Sequence, residues 1–208
     1  MRALSYLIII FLAPAIILLN FRLLVFNEKF YQNLQSNSGV PSQIDSQLAN
    51  YQTKKLIKFL CCNQTLDGVF FTQREIAHMQ DVKKLIKLAN IQLALYSGLM
   101  IPISFYLLYK SRRKLLFAAF KGGSAVGLIT IAALSITSFL NFDFLFLNFH
   151  LISFQNDLWM LPAGSNLLTL FPQQFFVDFA NRIAYQSLLM LGIIYLLSSL
   201  LSRANSKK

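Results

Sequence analysis

Negative charge is scarce in this chain of 208 residues: eight Asp and Glu stand against nineteen Lys and Arg, for a formal net charge of +11. Histidine is scarcer still, at two, alongside one tryptophan and two cysteines. A basic excess invites a nucleic-acid reading, but that requires Lys and Arg gathered on one solvated face. Here many of them punctuate the ends of hydrophobic runs, where they set membrane topology or meet anionic lipid, so no nucleic-acid partner is expected. HExxH, a GxSxG elbow and a Gly-rich phosphate loop ending in Lys-Ser/Thr are also missing, so the metalloprotease, common hydrolase and P-loop classes lack their parts. Cys61 and Cys62 are adjacent, and no second pair or His/Cys cluster completes a zinc site. They read as two partly buried thiols without a redox role, and neither a metal nor a cofactor is expected.

What the chain has in excess is apolar residues, at 56%. Four runs, 3–26, 88–109, 115–140 and 183–201, are long enough to cross a hydrocarbon core of ~30 Å, which takes roughly 20 helical residues. The first, interrupted by Pro14, Asn20 and Arg22, opens like a signal peptide with Arg2. Its apolar stretch is too long for one and no small-residue cleavage site follows, so an uncleaved helix is expected. The third carries Gly122, Gly123 and Gly127, which permit close approach of a neighbouring helix.

Lys110, Arg112, Arg113 and Lys114 lie between the second and third runs, and Arg203, Lys207 and Lys208 follow the fourth. Positive flanks on short loops face the cytoplasm. Both termini are then inside, and residues 27–87 and 141–182, with both histidines and every acidic residue, are outside. The expected fold is mainly α: one integral membrane domain, a four-helix transmembrane bundle with a small extracytoplasmic cap made by the two outer segments.

In the first outer segment a polar start, 35–52, contains a turn at Ser36-Asn37-Ser38-Gly39 and Pro41. A helix with Leu48, Tyr51, Leu56 and Phe59 on its apolar side follows, its Lys54, Lys55 and Lys58 solvated or touching lipid headgroups. Asp67-Gly68 reads as a turn and Val69-Phe70-Phe71 as a short strand. Thr72-Gln73-Arg74-Glu75 is a capping box, with Phe71 and Ile76 as a hydrophobic staple, opening a helix that meets no breaker before Pro102. That helix continues into the second span and holds His78 ten residues, about 15 Å, before Leu88. The second outer segment carries ten phenylalanines between Phe139 and Phe179 together with Trp159. A soluble loop does not expose so many rings, so this segment is expected at the membrane interface or capping the bundle.

His78 and His150 fall on one side of the membrane at the mouth of the bundle, where a pair of imidazoles suits acid-base work. Asp81 is three residues beyond His78, the spacing for a carboxylate that orients an imidazole; the same spacing lets it pair with Lys84 or Lys83 instead, and on spacing alone the latter is slightly preferred. Glu75 is assigned to the capping box rather than to catalysis. Asp178 and Arg182, four apart, are expected to bridge at the start of the fourth helix. Asn156 and Asp157 are placed to bond His150 or a polar substrate, and Trp159 marks the membrane interface.

The run Phe71-Thr72-Gln73-Arg74-Glu75-Ile76-Ala77-His78-Met79-Gln80-Asp81-Val82-Lys83, the later Phe149-His150, Asn156-Asp157-Leu158-Trp159-Met160-Leu161-Pro162, and Leu170-Phe171-Pro172-Gln173-Gln174-Phe175-Phe176 occur in the order that resembles the bacterial lipoprotein intramolecular transacylase (Lit) family. The chain departs from the pattern between Pro162 and Leu167, where Ala163-Gly164-Ser165-Asn166 stands in place of an expected acidic residue, so no carboxylate role carries over there.

The resemblance implies a bacterial cell-membrane enzyme acting on a diacylglyceryl-modified lipoprotein. An acyl chain would move from the glyceryl sn-2 ester to the α-amine of the N-terminal cysteine, leaving a lyso-form lipoprotein. His78, oriented by Asp81, is expected to deprotonate the amine while His150 stabilises the oxyanion or protonates the leaving oxygen, or the two exchange roles. Asn156, Asp157 and Trp159 would hold the substrate, and membrane lipids would surround it. The competing class is a non-catalytic lipid-binding or scaffold protein, for which histidines more than roughly 10 Å apart, with no room for a headgroup between them, would speak.

Overall fold

The computed structural model describes residues 1–62, 64–66 and 68–204; Asp67 of the expected turn and Lys207 and Lys208 of the C-terminal flank lie outside them. Among the described residues there are helices and no strand. Four helices are long and apolar enough to cross a membrane: α1 (Arg2–Val25), α4 (Gln73–Tyr109), α5 (Arg113–Leu140) and α8 (Gln173–Ala204). Shorter ones are α2 (Glu28–Asn37), α3 (Ser46–Cys61), α6 (Phe142–Ser153) and α7 (Asn166–Leu170), with a 3-10 turn at Val40–Ser42.

The chain divides into two compact units. The first comprises Met1–Arg22, Ala89–Ile136 and Arg182–Lys208. One part of its core joins Ile8 to Ile103, Leu107, Leu116 and Ala119, and another joins Leu12, Ala13 and Ile16 to Ile131 and Leu191. The expected close approach is present. A Cβ on Gly123 would stand 3.1 Å from the Ile9 Cα, and one on Gly127 would stand 2.7 Å from the Ala13 Cβ and 2.8 Å from Leu191 Cδ1. Asn20, 2% exposed, donates to the Ile16 carbonyl at 3.0 Å and to Ser187 Oγ at 3.1 Å, which satisfies a polar group inside an apolar helix pair. Leu95, Leu99, Ile101 and Phe105 on α4 are exposed, as a lipid-facing surface requires.

The second unit comprises Leu23–Leu88 and Thr137–Asn181. Helix α2 was not expected from the sequence: it is short and mostly polar, and its signal is Asn27, whose side chain caps it by accepting from the Phe30 N–H at 3.1 Å. Gly39, at φ +78°, makes the turn that follows. Asp45 caps α3. That helix buries Leu56 and Phe59 as expected, but Leu48 and Tyr51 are exposed and Gln52 and Thr53 take the inner face, where Thr53 Oγ1 accepts from Gln35 at 2.9 Å.

Three further expectations are corrected. Residues 68–70 form a turn rather than a strand, because the chain must reverse into the α4 cap. Cys61 and Cys62 are exposed and disulfide-bonded to each other rather than partly buried thiols. Asp178 accepts from Gln174 at 2.9 Å instead of bridging to Arg182, since α8 begins at Gln173 and the residue one turn before Asp178 already supplies a donor.

Candidate active site

Every candidate side chain lies in the second unit. Helix α4 starts at the expected capping box: the Thr72 N–H donates to Glu75 Oε2 at 2.7 Å and the Glu75 N–H to Thr72 Oγ1 at 3.3 Å. Glu75 does more than cap. It is fully buried, and its second oxygen accepts the Leu167 N–H at 2.7 Å, while Asn166 Nδ2 donates to the Phe70 carbonyl at 2.6 Å. Residues 166 and 167 are thus anchored on the start of α4, at the place where an acidic residue was expected and is missing.

From this fixed start, Arg74, His78 and Asp81 follow at steps of four and three and share one face of the helix. His150 sits in the last turn of α6, whose start is capped by Asn141 accepting from the Phe144 N–H at 3.0 Å. The two imidazoles converge: their ring centroids are 6.4 Å apart at an interplanar angle of 29°. That separation is well inside the ~10 Å limit set for a scaffold.

Both rings are 8% exposed, so they do not face an open cavity. Phe154 covers them, with centroids 5.2 Å from His78 and 5.6 Å from His150. Trp159 lies 4.8 Å from His150, which gives the tryptophan a place against an imidazole rather than only the expected interface position.

Each histidine has a distinct polar setting. His150 Nδ1 is 2.7 Å from the Phe146 carbonyl oxygen. A carbonyl only accepts, so Nδ1 carries the proton and the neutral ring presents a bare Nε2. His78 Nδ1 is buried and has no hydrogen-bond partner. Burial first, then the charge of His150, lowers the His78 pKa to about 4, against an opposing pull from Asp81. Burial also lowers that of His150, partly offset by the Phe146 carbonyl. Both imidazoles are therefore neutral at pH 7.

Asp81 does not orient His78. Its Oδ1 pairs with Lys84 at 2.8 Å and its Oδ2 accepts from Asn156 Nδ2 at 2.9 Å, and these two donors hold its carboxyl below the ordinary value. The Lys84 pairing that spacing allowed is the one formed. Asn156 and Asp157 do not bond His150: Asp157 receives Arg74, through its carbonyl and through an ion pair of 3.4 Å to Oδ2. Among the described residues no group of three or more His, Cys, Asp or Glu side chains could hold a metal ion.

A family model described as lipoprotein intramolecular transacylase Lit matches residues 4–176. The chain belongs to the Lit family. Members of this family are transacylases, so the chain is an acyltransferase working on lipoproteins. The in meso structure of the membrane integral lipoprotein intramolecular transacylase Lit from Bacillus cereus is similar at a TM-score of 0.89 and 20% identity, covering 100% of this chain and 98% of that one. Two further structures of that protein, each with one histidine replaced, by arginine or by alanine, are similar at TM-scores of 0.82 and 0.83 and 20% identity. They cover 99% and 100% of this chain and 93% and 96% of theirs. At that identity the likeness shows that the fold is shared with Lit. No curated protein sequence matches.

Proposed function

We propose that this Lit-family chain moves an acyl group from the glyceryl sn-2 ester of a diacylglyceryl lipoprotein to the α-amine of its N-terminal cysteine, with His150 as the base and His78 as the hydrogen-bond donor. The observation that carries the reading is the pair of buried, neutral imidazoles 6.4 Å apart with different polar settings. The amine nitrogen attacks the ester carbonyl; a C–N bond forms, the acyl C–O bond breaks, and the amine proton ends on the glyceryl oxygen. Donor and nucleophile belong to one substrate, so the protein supplies positioning and a proton route and needs no nucleophile of its own.

His150 Nε2 suits the first proton transfer because Nδ1–H is held by Phe146. An α-amine with pKa near 8 is partly neutral already, so a weak base suffices. At His78 the unpartnered Nδ1 favours the proton on Nε2, since a buried N–H without an acceptor is costly, and Nε2–H can then donate to the oxyanion and the leaving oxygen. This exchanges the roles that Asp81 would have set had it bonded His78. The rings of Phe154 and Trp159 supply apolar walls for the glyceryl and acyl groups, and Asn156, Asp157 and Asp81 act by shaping that wall. The basic flanks Lys110, Arg112, Arg113 and Lys114 support a cytoplasmic 110–114 turn, and with it a site on the extracytoplasmic side of a bacterial cell membrane.

The transfer is an isomerisation, and that gives its test. Purified protein in lipid bilayers is given a synthetic S-diacylglyceryl-cysteinyl peptide with a free amine, and the product is fragmented in a mass spectrometer. The expected product has unchanged intact mass with the acyl group on nitrogen. Release of free fatty acid, or acyl exchange between differently labelled peptides, contradicts intramolecular transfer.

A further inference from the structure

The same geometry that brings the histidines together also closes them off. A substrate carbonyl must come within hydrogen-bond reach of both imidazoles, yet each is 8% exposed. Phe146, Phe149 and Phe154 pack against His150 from α6 and its cap, Phe154 also against His78, and Trp159 covers His150 from the segment 155–161 that follows. That segment has no regular secondary structure beyond local turns, such as the Met160 N–H to Asp157 carbonyl bond of 3.0 Å and the Leu158 N–H to Asn156 Oδ1 bond of 3.1 Å. Some part of this cover must move.

The attachments of the segment differ in kind along its length. Beyond it, residues 166 and 167 are tied by the buried Glu75 and by Asn166. The middle is tied only at the surface. Arg74 bonds the Asp157 carbonyl and pairs with Oδ2, with the two side chains 39% and 74% exposed. One residue earlier, Asn156 donates to Asp81. On α4 these two attachment points, 74 and 81, lie on the helix face of His78 and on either side of it. Exposed ion pairs contribute little stability and break readily, whereas buried, fully satisfied bonds do not. Gly164, at φ +81° with open space around its Cβ position, stands between the loosely and the firmly held parts and is a natural pivot.

We propose that Arg74 and the Asp81–Asn156 hydrogen bond form a latch that holds residues 155–161 in place, with Trp159 over His150. The strap lifts to admit the diacylglyceryl-cysteine headgroup and latches again to set Trp159 against His150. Arg74 is then a positioning residue: it acts on the reaction through Trp159 and does not meet the reacting atoms. The latch rests on the acyl-transfer reading for its ligand, but its motion can be read without turnover.

Trp159 is the one tryptophan in the chain, so its fluorescence reports the strap alone. Full-length protein in lipid nanodiscs is titrated with acrylamide, and emission is compared for the unaltered chain, Arg74→Gln and Asn156→Ala, with helicity by circular dichroism as the folding control. Both variants are expected to raise the quenching constant at least twofold with helicity retained, and to lower kcat more than they raise KM. The S-diacylglyceryl-cysteinyl peptide should lower quenching in the unaltered chain as the strap latches again over the bound headgroup. Unchanged quenching in either folded variant overturns the latch, as does a peptide that is converted without altering Trp159 emission. If one variant fails to fold, the other decides on the same criterion. Increased quenching in the variants with no peptide conversion by the unaltered chain leaves the strap standing and removes the acyl-transfer reading.

Discussion

His78 and His150 stand 72 positions apart in sequence, yet their imidazoles stack within 6.4 Å of each other. Helix α4 delivers one and α6 the other, and each ring arrives with its own polar setting. His150 gives up one nitrogen to the Phe146 carbonyl, while His78 has a buried nitrogen with no partner. Two neutral imidazoles with different exposed functions can work as a base and a donor without any change of charge at rest.

The pH dependence follows from the lowered pKa values. Burial lowers both pKa values from the ordinary 6.5, that of His78 to about 4. Activity should therefore show no inflection near pH 6.5 and should rise with pH towards the pKa of the substrate amine, near 8. A kcat/KM profile on the diacylglyceryl peptide checks this; a limb centred on 6.5 contradicts it. Stability moves in the same direction. Between about pH 4 and 6.5 the unfolded chain binds a proton at His78 that the folded chain refuses, so stability is greatest above 6.5 and declines as pH falls through that window.

Glutamine substitutions separate the two roles. A glutamine amide can donate where His78 Nε2–H donates, but it cannot accept a proton from an ammonium. His78→Gln should therefore retain part of the rate, with a loss of about 10- to 100-fold, while His150→Gln should lose about 1,000-fold or more, within the usual range for general base catalysis. Single-turnover rates on the same peptide check it, and the reverse order would exchange the assignments.

The sequence made the spans and the α4 cap readable because both are local patterns: apolar runs of sufficient length, and Thr72 with Glu75 three residues on. Contacts between distant segments leave no such mark. Nothing near Asp81 announces Asn156, 75 residues away, and the spacing that suggested an imidazole partner also allowed Lys84, which the structure selects. Glu75 was legible as a cap and illegible as the acceptor for Leu167. Arg74 was legible only as a member of the capping-box run, because its partner Asp157 lies far along the chain. Helix α2 was missed because it is short and polar, and its stabilising contacts, such as Gln35 with the Leu170 carbonyl at 3.0 Å, again come from far along the chain.

Glu75 should be a stability position rather than a chemical one. Glu75→Ala removes the acceptor for the Thr72 and Leu167 N–H groups and leaves the second buried, at a cost of about 3 kcal/mol. Glu75→Gln keeps a carbonyl oxygen and the shape, and should cost less. Thermal unfolding in detergent ranks the two; an alanine variant as stable as the parent contradicts the account.

Gly127 tests the helix contact in the first unit. An added methyl would meet Ala13 Cβ at 2.7 Å and Leu191 Cδ1 at 2.8 Å, so α1, α5 and α8 must separate or repack. Gly127→Ala should destabilise by about 1–3 kcal/mol and lower the Tm, whereas Gly98→Ala, with nothing within 4 Å of its Cβ position, should not meet any such clash.

The most direct test of the paired-histidine site is the N-terminal structure of lipoproteins from a diacyl-lipoprotein host expressing this chain, its His78→Ala variant or its His150→Ala variant at matched levels. Mass spectrometry should find lyso-form N-termini with the unaltered chain and at least a 100-fold lower yield with either variant. Undiminished lyso product from either alanine variant would contradict the account.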